Sequence, residues 1–302
     1  MAKRFVGIGE CMIEMSGGVS GQYRLGFAGD TLNASWYARA GLGEDWQVDY
    51  VTALGDDIYS DQMIAFFDAN GIGTSRIQRI VNARPGLYLI HQAHGDRHFT
   101  YWRDTAAARR LADDPERLDA SLDGASLVYF SGITLGILTP DARAALLGAL
   151  ASARKKGARL AFDPNIRPAL WPDEDALRDA ITAAASISDI VMPTHTDEQP
   201  VFGDETPAAT AQRYRDLGVA EVVVKDGAEP ALVAYDEGHV LVGAEDNVDV
   251  IDATGAGDSF NGAYLAARLS GHAPLEAARA AHRTAATVIG HHGALVDFQF
   301  LG

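Results

Sequence analysis

Between residues 127 and 224 the chain alternates short β-branched or aromatic runs with Ala-rich helical stretches, and this alternation leaves few folds open. Strands are expected at 127–130, 159–162, 190–192 and 221–224. Between them a helix is expected from a Thr139 cap, with Pro140 at its first position, to a stop at Gly157. Two more are expected near 173–185 and at 207–217. Strand and helix in strict turn predict an α/β fold, a parallel sheet with helices on both faces. Ligands of such sheets bind beyond the carboxyl ends of the strands, where Asp163, Pro193 and Lys225 fall.

The first third of the chain has a different rhythm. A buried strand at 5–9 precedes two strand-like pieces, 11–15 and 23–27, parted by the Gly/Ser-rich residues 16–21. Asp30 opens a helix ending near Gly41, 47–54 is a further strand, and 58–70 is a helix stopped by Asn70-Gly71. Residues 76–102 are β-rich, with 87–90 and 99–102 flanking the turn-like His94-Gly95-Asp96, and have no helical partners of their own. A hairpin at 231–235 and 239–242 turns around Asp236-Glu237-Gly238.

At 302 residues and 47% hydrophobic content the chain has ample core for one large α/β domain or two small ones. Its formal charge of -16 repels nucleic acid and anionic membrane, so an anionic ligand must be held by local cations. Cys11 is the only cysteine, which excludes an intrachain disulfide and fits a reducing compartment. No run has the length and apolarity of a signal peptide or a membrane span, so the expectation is a soluble, cytoplasmic protein.

Several nucleotide and metal signatures fail on inspection. None of Lys3, Lys155, Lys156 or Lys225 precedes a Ser or Thr, which rules out a P-loop. Gly7-Ile8-Gly9 begins like a dinucleotide fingerprint, but Met12 stands where the third Gly is needed. His91, His94 and His98 are not spaced to share one face of β-structure.

Asp252-Ala253-Thr254-Gly255-Ala256-Gly257-Asp258-Ser259-Phe260 delivers a carboxylate, through residues without bulk, to the start of an Ala-rich helix. Backbone N–H groups of Gly255, Ala256 and Gly257 can close on a phosphate there, where the helix dipole favours negative charge. The plain structural alternative is an Asp N-cap after a Gly-rich turn.

With Ala28-Gly29-Asp30-Thr31-Leu32-Asn33 and Leu54-Gly55-Asp56-Asp57 upstream, the ordered set resembles the ribokinase-like, or phosphofructokinase-B, carbohydrate kinases almost from end to end. The resemblance implies ATP and Mg²⁺, with Asp258 as general base and Gly255, Ala256 and Gly257 as the hole for the transferring phosphoryl group. An ordinary Asp, with a pKa of about 3.9, is ionised at pH 7 and ready for that role. Lys225-Asp226-Gly227-Ala228-Glu229-Pro230 resembles the nucleotide loop, placing Lys225 and Gly227 beside ATP, and Asn165 matches another nucleotide-side position. Thr194 and either Asp197 or Glu198 match the pair that organises Mg²⁺ through water; direct metal ligands stay unassigned.

Within the family the resemblance is to members acting on a sugar acid, 2-keto-3-deoxygluconate, at its 6-hydroxyl. It is carried by Gly9-Glu10-Cys11-Met12-Ile13-Glu14, Tyr101-Trp102-Arg103, Ser131-Gly132-Ile133-Thr134-Leu135 and Asp163-Pro164-Asn165-Ile166-Arg167. Gly29, Asp30 and Asn33 are then implied to bind sugar hydroxyls, Tyr88 and Tyr101 to pack on the substrate, and Arg103 and Arg167 to hold its acid end. A guanidinium fork suits a carboxylate, and a neutral sugar has no use for one. For Arg167 the alternative is a loop residue paired with Asp173 or Glu174. Segments of about 11–28 and 86–104 would form a lid over the sugar, with two lids covering each other in a homodimer or larger homo-oligomer. Two rivals stay open: a kinase of the same family for a neutral sugar or nucleoside, and a non-catalytic sugar-acid-binding protein on the same scaffold. His291 and His292 either line the sugar pocket or cap the last helix.

Overall fold

A strand buried on both faces has to lie inside a sheet, and β1 (Lys3–Ile8) is buried from Phe5 to Ile8. The computed structural model describes residues 3–17, 21–93, 96–236 and 238–301. After β1 come β2 (Met12–Gly17), β3 (Tyr23–Ala28), α1 (Asp30–Gly41), β4 (Trp46–Val51), β5 (Ala53–Leu54), α2 (Ile58–Ala69), β6 (Ile72–Gly73) and β7 (Gln78–Arg79). The middle of the chain supplies β8 (Leu87–Ala93), β9 (Asp96–Trp102), α3 (Pro115–Ser121), β10 (Leu127–Ser131), α4 (Gly132–Ile137), α5 (Pro140–Lys155) and β11 (Arg159–Asp163). It continues with α6 (Glu174–Ser186), β12 (Ile190–Val191), α7 (His195–Phe202), α8 (Pro207–Asp216), β13 (Glu221–Asp226), β14 (Glu229–Tyr235), β15 (Gly238–Val242), α9 (Ala256–Leu269) and α10 (Pro274–Ile289).

Among the described residues nine strands form the main sheet in the order β15-β14-β13-β12-β11-β10-β1-β4-β6, with β14 antiparallel to both its neighbours and the other pairings parallel. Alternate side chains feed two cores. Phe5, Leu127 and Tyr129 face α1, α9 and α10, whereas Val6, Val128 and Phe130 face the helices α3 to α8. Thr139 caps α5 through the Ala142 N–H with Pro140 behind it, as expected, and Asp173 and Thr206 cap α6 and α8 in the same way. Gly262 lets α9 lie against α1, since a Cβ there would come within 2.2 Å of the Ala34 carbonyl oxygen.

The single strand expected at 47–54 is two. β4 ends at Val51, where its neighbour β1 has run out; β5 then pairs with β7 in a small sheet of its own. A four-stranded sheet, β3-β2-β8-β9, gathers the β-rich pieces of the first third, with β2 and β8 parallel. One of its faces carries the ring cluster of Tyr88, Phe99 and Tyr101; the register turns Leu25 and Trp102 to the other, where both are exposed. His91 and His98 stack across β8 and β9, while His94, Gly95 and Glu237, the middle of the two expected turns, lie outside the described residues. Cys11 is buried just before β2, and burial pushes its thiol well up, away from the reactive thiolate. Among the described residues no helix is long and apolar enough to cross a membrane.

Candidate active site

The carboxyl ends of β1, β10, β11 and β13 open into a cavity of about 550 Å³, walled on one side by the Tyr88–Tyr101 face of the four-stranded sheet. Lining it are Gly29, Asp30, Asn33, Tyr88, Tyr101, Arg103, Asn165, Arg167, Thr194, Lys225, Gly255, Ala256, Gly257 and Asp258. Gly227 is not among them. Gly227 sits in the tight β13–β14 hairpin, at the left-handed turn position (φ 60°) with open space around it.

The anion-hole segment folds for a specific reason. Gly255 is left-handed (φ 79°) and caps α9, and a side chain there would meet Ala294 at 2.9 Å. Asp252, buried, accepts from the Thr254 N–H (3.0 Å) and from the Gly293 N–H (2.7 Å), stitching the turn to the chain beyond α10. Ala256 turns its N–H back to the Ala253 carbonyl at 3.2 Å, so it is not a free donor. Gly257 and Asp258 lie in the first turn of α9, where N–H groups have no acceptor within the helix.

Asp258 is therefore not the N-cap. It is the third residue of α9, and its Oδ2 accepts from Asn33 Nδ2 at 2.8 Å. Asn33 also receives the Gly29 N–H on its Oδ1, so the starts of α1 and α9 share one amide side chain. Burial, with the nearby Asp30 and Asp163 carboxylates, pushes the Asp258 pKa up to about 7. This corrects the expectation of a carboxylate with ordinary acidity. With Asp258 as the general base that the resemblance implies, kcat/KM for phosphoryl transfer should fall about tenfold per pH unit below pH 7, because a base must be unprotonated to work. Initial rates between pH 5 and 9 check this; an acid limb near pH 4 would contradict it.

Around Asp258 the polar groups are nearly all engaged. Lys225 Nζ lies 3.1 Å from Asp163 Oδ2 and donates to Asn261 Oδ1 at 3.0 Å. Asn261, one turn after Asp258, donates to Asp163 Oδ2 and to the Tyr129 hydroxyl. Asn165 donates to Asp30 Oδ2 at 3.1 Å from a left-handed backbone (φ 33°), an uncommon conformation for a residue with a side chain. At the far end Arg103 pairs with Glu10, and Arg167 pairs with Asp197 at 3.1 Å rather than with Asp173 or Glu174.

Of the two acids considered for Mg²⁺, Asp197 lines the cavity and Glu198 does not. Glu198 is fully buried against Arg213 and Tyr214, and burial pushes its pKa up to about 7. Thr194 begins α7 and bridges to Lys225. His291 and His292 lie outside the cavity: His291 bonds the Thr287 carbonyl at the end of α10 and its ring lies tilted against that of Phe300. Sequence reasoning gave no site role to Glu10 and none beyond strand-end placement to Asp163. A buried acid at the carboxyl end of a central strand was the available signal for Asp163.

Residues 2–299 match the pfkB family of carbohydrate kinases. The chain belongs to that family. It is 40% identical over 303 residues to the 2-dehydro-3-deoxygluconokinase of Escherichia coli K12, covering 98% of each chain. With the enzyme of the same name from Dickeya dadantii it shares 39% over 300 residues, 97% of this chain and 96% of the relative. The fold also superimposes on a solved 2-dehydro-3-deoxygluconokinase from Thermotoga maritima with a TM-score of 0.86 at 20% identity, covering 100% and 97% of the two chains. This pfkB-family kinase thus has the ribokinase-like α/β architecture, a mostly parallel sheet with a small separate sheet beside its cavity.

Proposed function

We propose that the chain transfers the γ-phosphoryl group of ATP to the 6-hydroxyl of 2-keto-3-deoxygluconate, the 2-dehydro-3-deoxygluconate of its relatives' names. The observation that carries this reading is one cavity lined by a poised carboxylate, a helix N-terminus and two arginines. Asp258 takes the proton of the sugar hydroxyl as that oxygen attacks the γ-phosphorus in line, and ADP leaves. The N–H groups of Gly255 and Gly257, with Lys225 behind Gly257, stabilise the charge on the transferring group. Gly29, Asp30 and Asn33 hold the sugar hydroxyls, and Tyr88 and Tyr101 pack on the carbon chain.

Mg²⁺ suits the nucleotide end. That ion keeps most of its waters and asks for one or two carboxylates, and no group of three or more ligand side chains gathers among the described residues. Thr194, bridged to Lys225, is the group that would hold its water shell, with Asp197 joining it on leaving its pairing with Arg167, and the ion would supply neutralisation of phosphate charge.

A coupled ADP-release assay over sugar acids and neutral sugars tests the proposal; turnover of fructose or ribose with none of the keto-deoxy acid would overturn the substrate. Arg103→Ala is expected to raise KM for the sugar acid about 10- to 100-fold, the loss of a charge-assisted hydrogen bond. A neutral-sugar kinase would be indifferent to that change.

The four-stranded sheet acts as a lid that excludes water from the phosphoryl group. Its exposed Leu25 and Trp102 support a homodimer in which two lids cover each other, with light scattering after gel filtration as the check. The single, buried cysteine supports action in a reducing cytoplasm.

A further inference from the structure

The sugar-acid reading gives Arg103 a task and leaves the group beneath it without one. Glu10 follows β1 by two residues, and its side chain is 1% exposed. Its carboxylate pairs with Nη2 of Arg103, whose side chain is 11% exposed and whose guanidinium also lies over the Tyr101 ring at 5.8 Å. The pairing is incomplete on both sides. Glu10 Oε1 and Arg103 Nε are buried with no hydrogen-bond partner among the described residues. Oε1 is wedged against Gly86, where a Cβ would come within 2.8 Å of it.

An ion pair built only for stability closes both forks, because burying a carboxylate with an unfilled oxygen is costly. Here one oxygen grips one nitrogen and the other donors of the guanidinium are left for something else. Arg167 is the useful contrast: its side chain is 50% exposed and its partner Asp197 is 33% exposed, so solvent and side-chain motion weaken its hold. Of the two arginines Arg103 is the more firmly held, since Arg167, although it also donates to the Ile166 carbonyl at 2.6 Å, keeps half of its side chain in solvent. A fixed donor fork loses less freedom on binding and so binds more tightly.

We propose that Glu10 is the positioning residue of the acid-binding end: by gripping Nη2 it holds the Arg103 fork in the cavity and sets affinity for a carboxylate-bearing substrate. The inference rests on the sugar-acid reading above. Glu10 does not touch the phosphoryl chemistry, so its loss should fall on KM for the sugar acid rather than on kcat or on KM for ATP.

The test compares the parent enzyme with Glu10→Ala and Glu10→Gln, measuring kcat and both KM values and, calorimetrically, binding of the sugar acid without nucleotide. Glu10→Ala is expected to weaken sugar-acid binding about tenfold or more. Glu10→Gln, which keeps an acceptor for Nη2 and removes the competing charge, should restore affinity to the parent level or better. Unchanged sugar-acid KM in both variants would overturn the proposal, as would losses in both variants spread equally over ATP and sugar acid. A parent enzyme that turns over only neutral sugars overturns the substrate reading and this inference together, whereas parent turnover of the sugar acid with a Glu10-insensitive KM overturns the inference alone.

Discussion

Asp258→Asn is expected to lower kcat about 10²- to 10⁴-fold, the usual contribution of a positioned general base, with both KM values near those of the parent. Asparagine keeps the shape, and its side-chain oxygen can still accept from Asn33 Nδ2, so the start of α9 should stay in place. What goes is the proton acceptor. Near-normal turnover would remove Asp258 from the mechanism. The same variant should be more stable than the parent, and the sign follows from linkage. The folded-state pKa of Asp258 is raised to about 7 from an ordinary 3.8, so whatever stability the protonated group lends is present below pH 4 and lost as pH rises through 7. The rise in melting temperature of Asp258→Asn over the parent should therefore be absent near pH 4 and full by pH 8. A uniform shift across that window would point to packing instead of charge.

Lys225→Met is expected to cost about 3–5 kcal/mol of stability, the penalty for stranding the other half of a buried ion pair. Side-chain exposure is 9% for Lys225 and 4% for Asp163, so water cannot take over the lysine's role. The damage should spread through Asn261, which bonds both partners, to the helix that carries Asp258. Turnover should fall with stability, because the positive charge behind Gly257 disappears as well. Adding Asp163→Asn should recover much of the stability and none of the activity. Denaturant midpoints for the two single variants and the double variant measure the coupling; additive losses would mean that the pair is not one unit.

The alternation beyond residue 127 could be read from sequence because each helix there announces its start, as Thr139-Pro140 does, and each strand is a single apolar run. The strand at 47–54 was read as one because periodicity follows side chains, and the break at Thr52 comes from where β1 ends, a fact of tertiary structure. Gly227 is matched to the nucleotide side by resemblance alone, because a glycine in a tight hairpin and one in an anion cradle leave the same trace in sequence. Asp197 and Glu198 are adjacent, and only the phase of α7 decides that one meets the cavity and the other Arg213. The acidity of Asp258 was beyond reach for a similar reason. It depends first on burial and then on Asp30 and Asp163, carboxylates from distant segments that meet only where α1, β11 and α9 converge. Glu10 and Arg103 are likewise separated by the whole four-stranded sheet.

Every strand of both larger sheets precedes α9 in the chain. Together with α1, α9 and α10 cover one face of the main sheet, so that face stays open until the chain has been made past Gly255 and Asp258. A chain clipped ahead of the Gly255 turn lacks Asp258 and leaves uncovered the face of α1 on which α9 packs. Closing this layer and completing the cavity are thus one event, since the same helix does both.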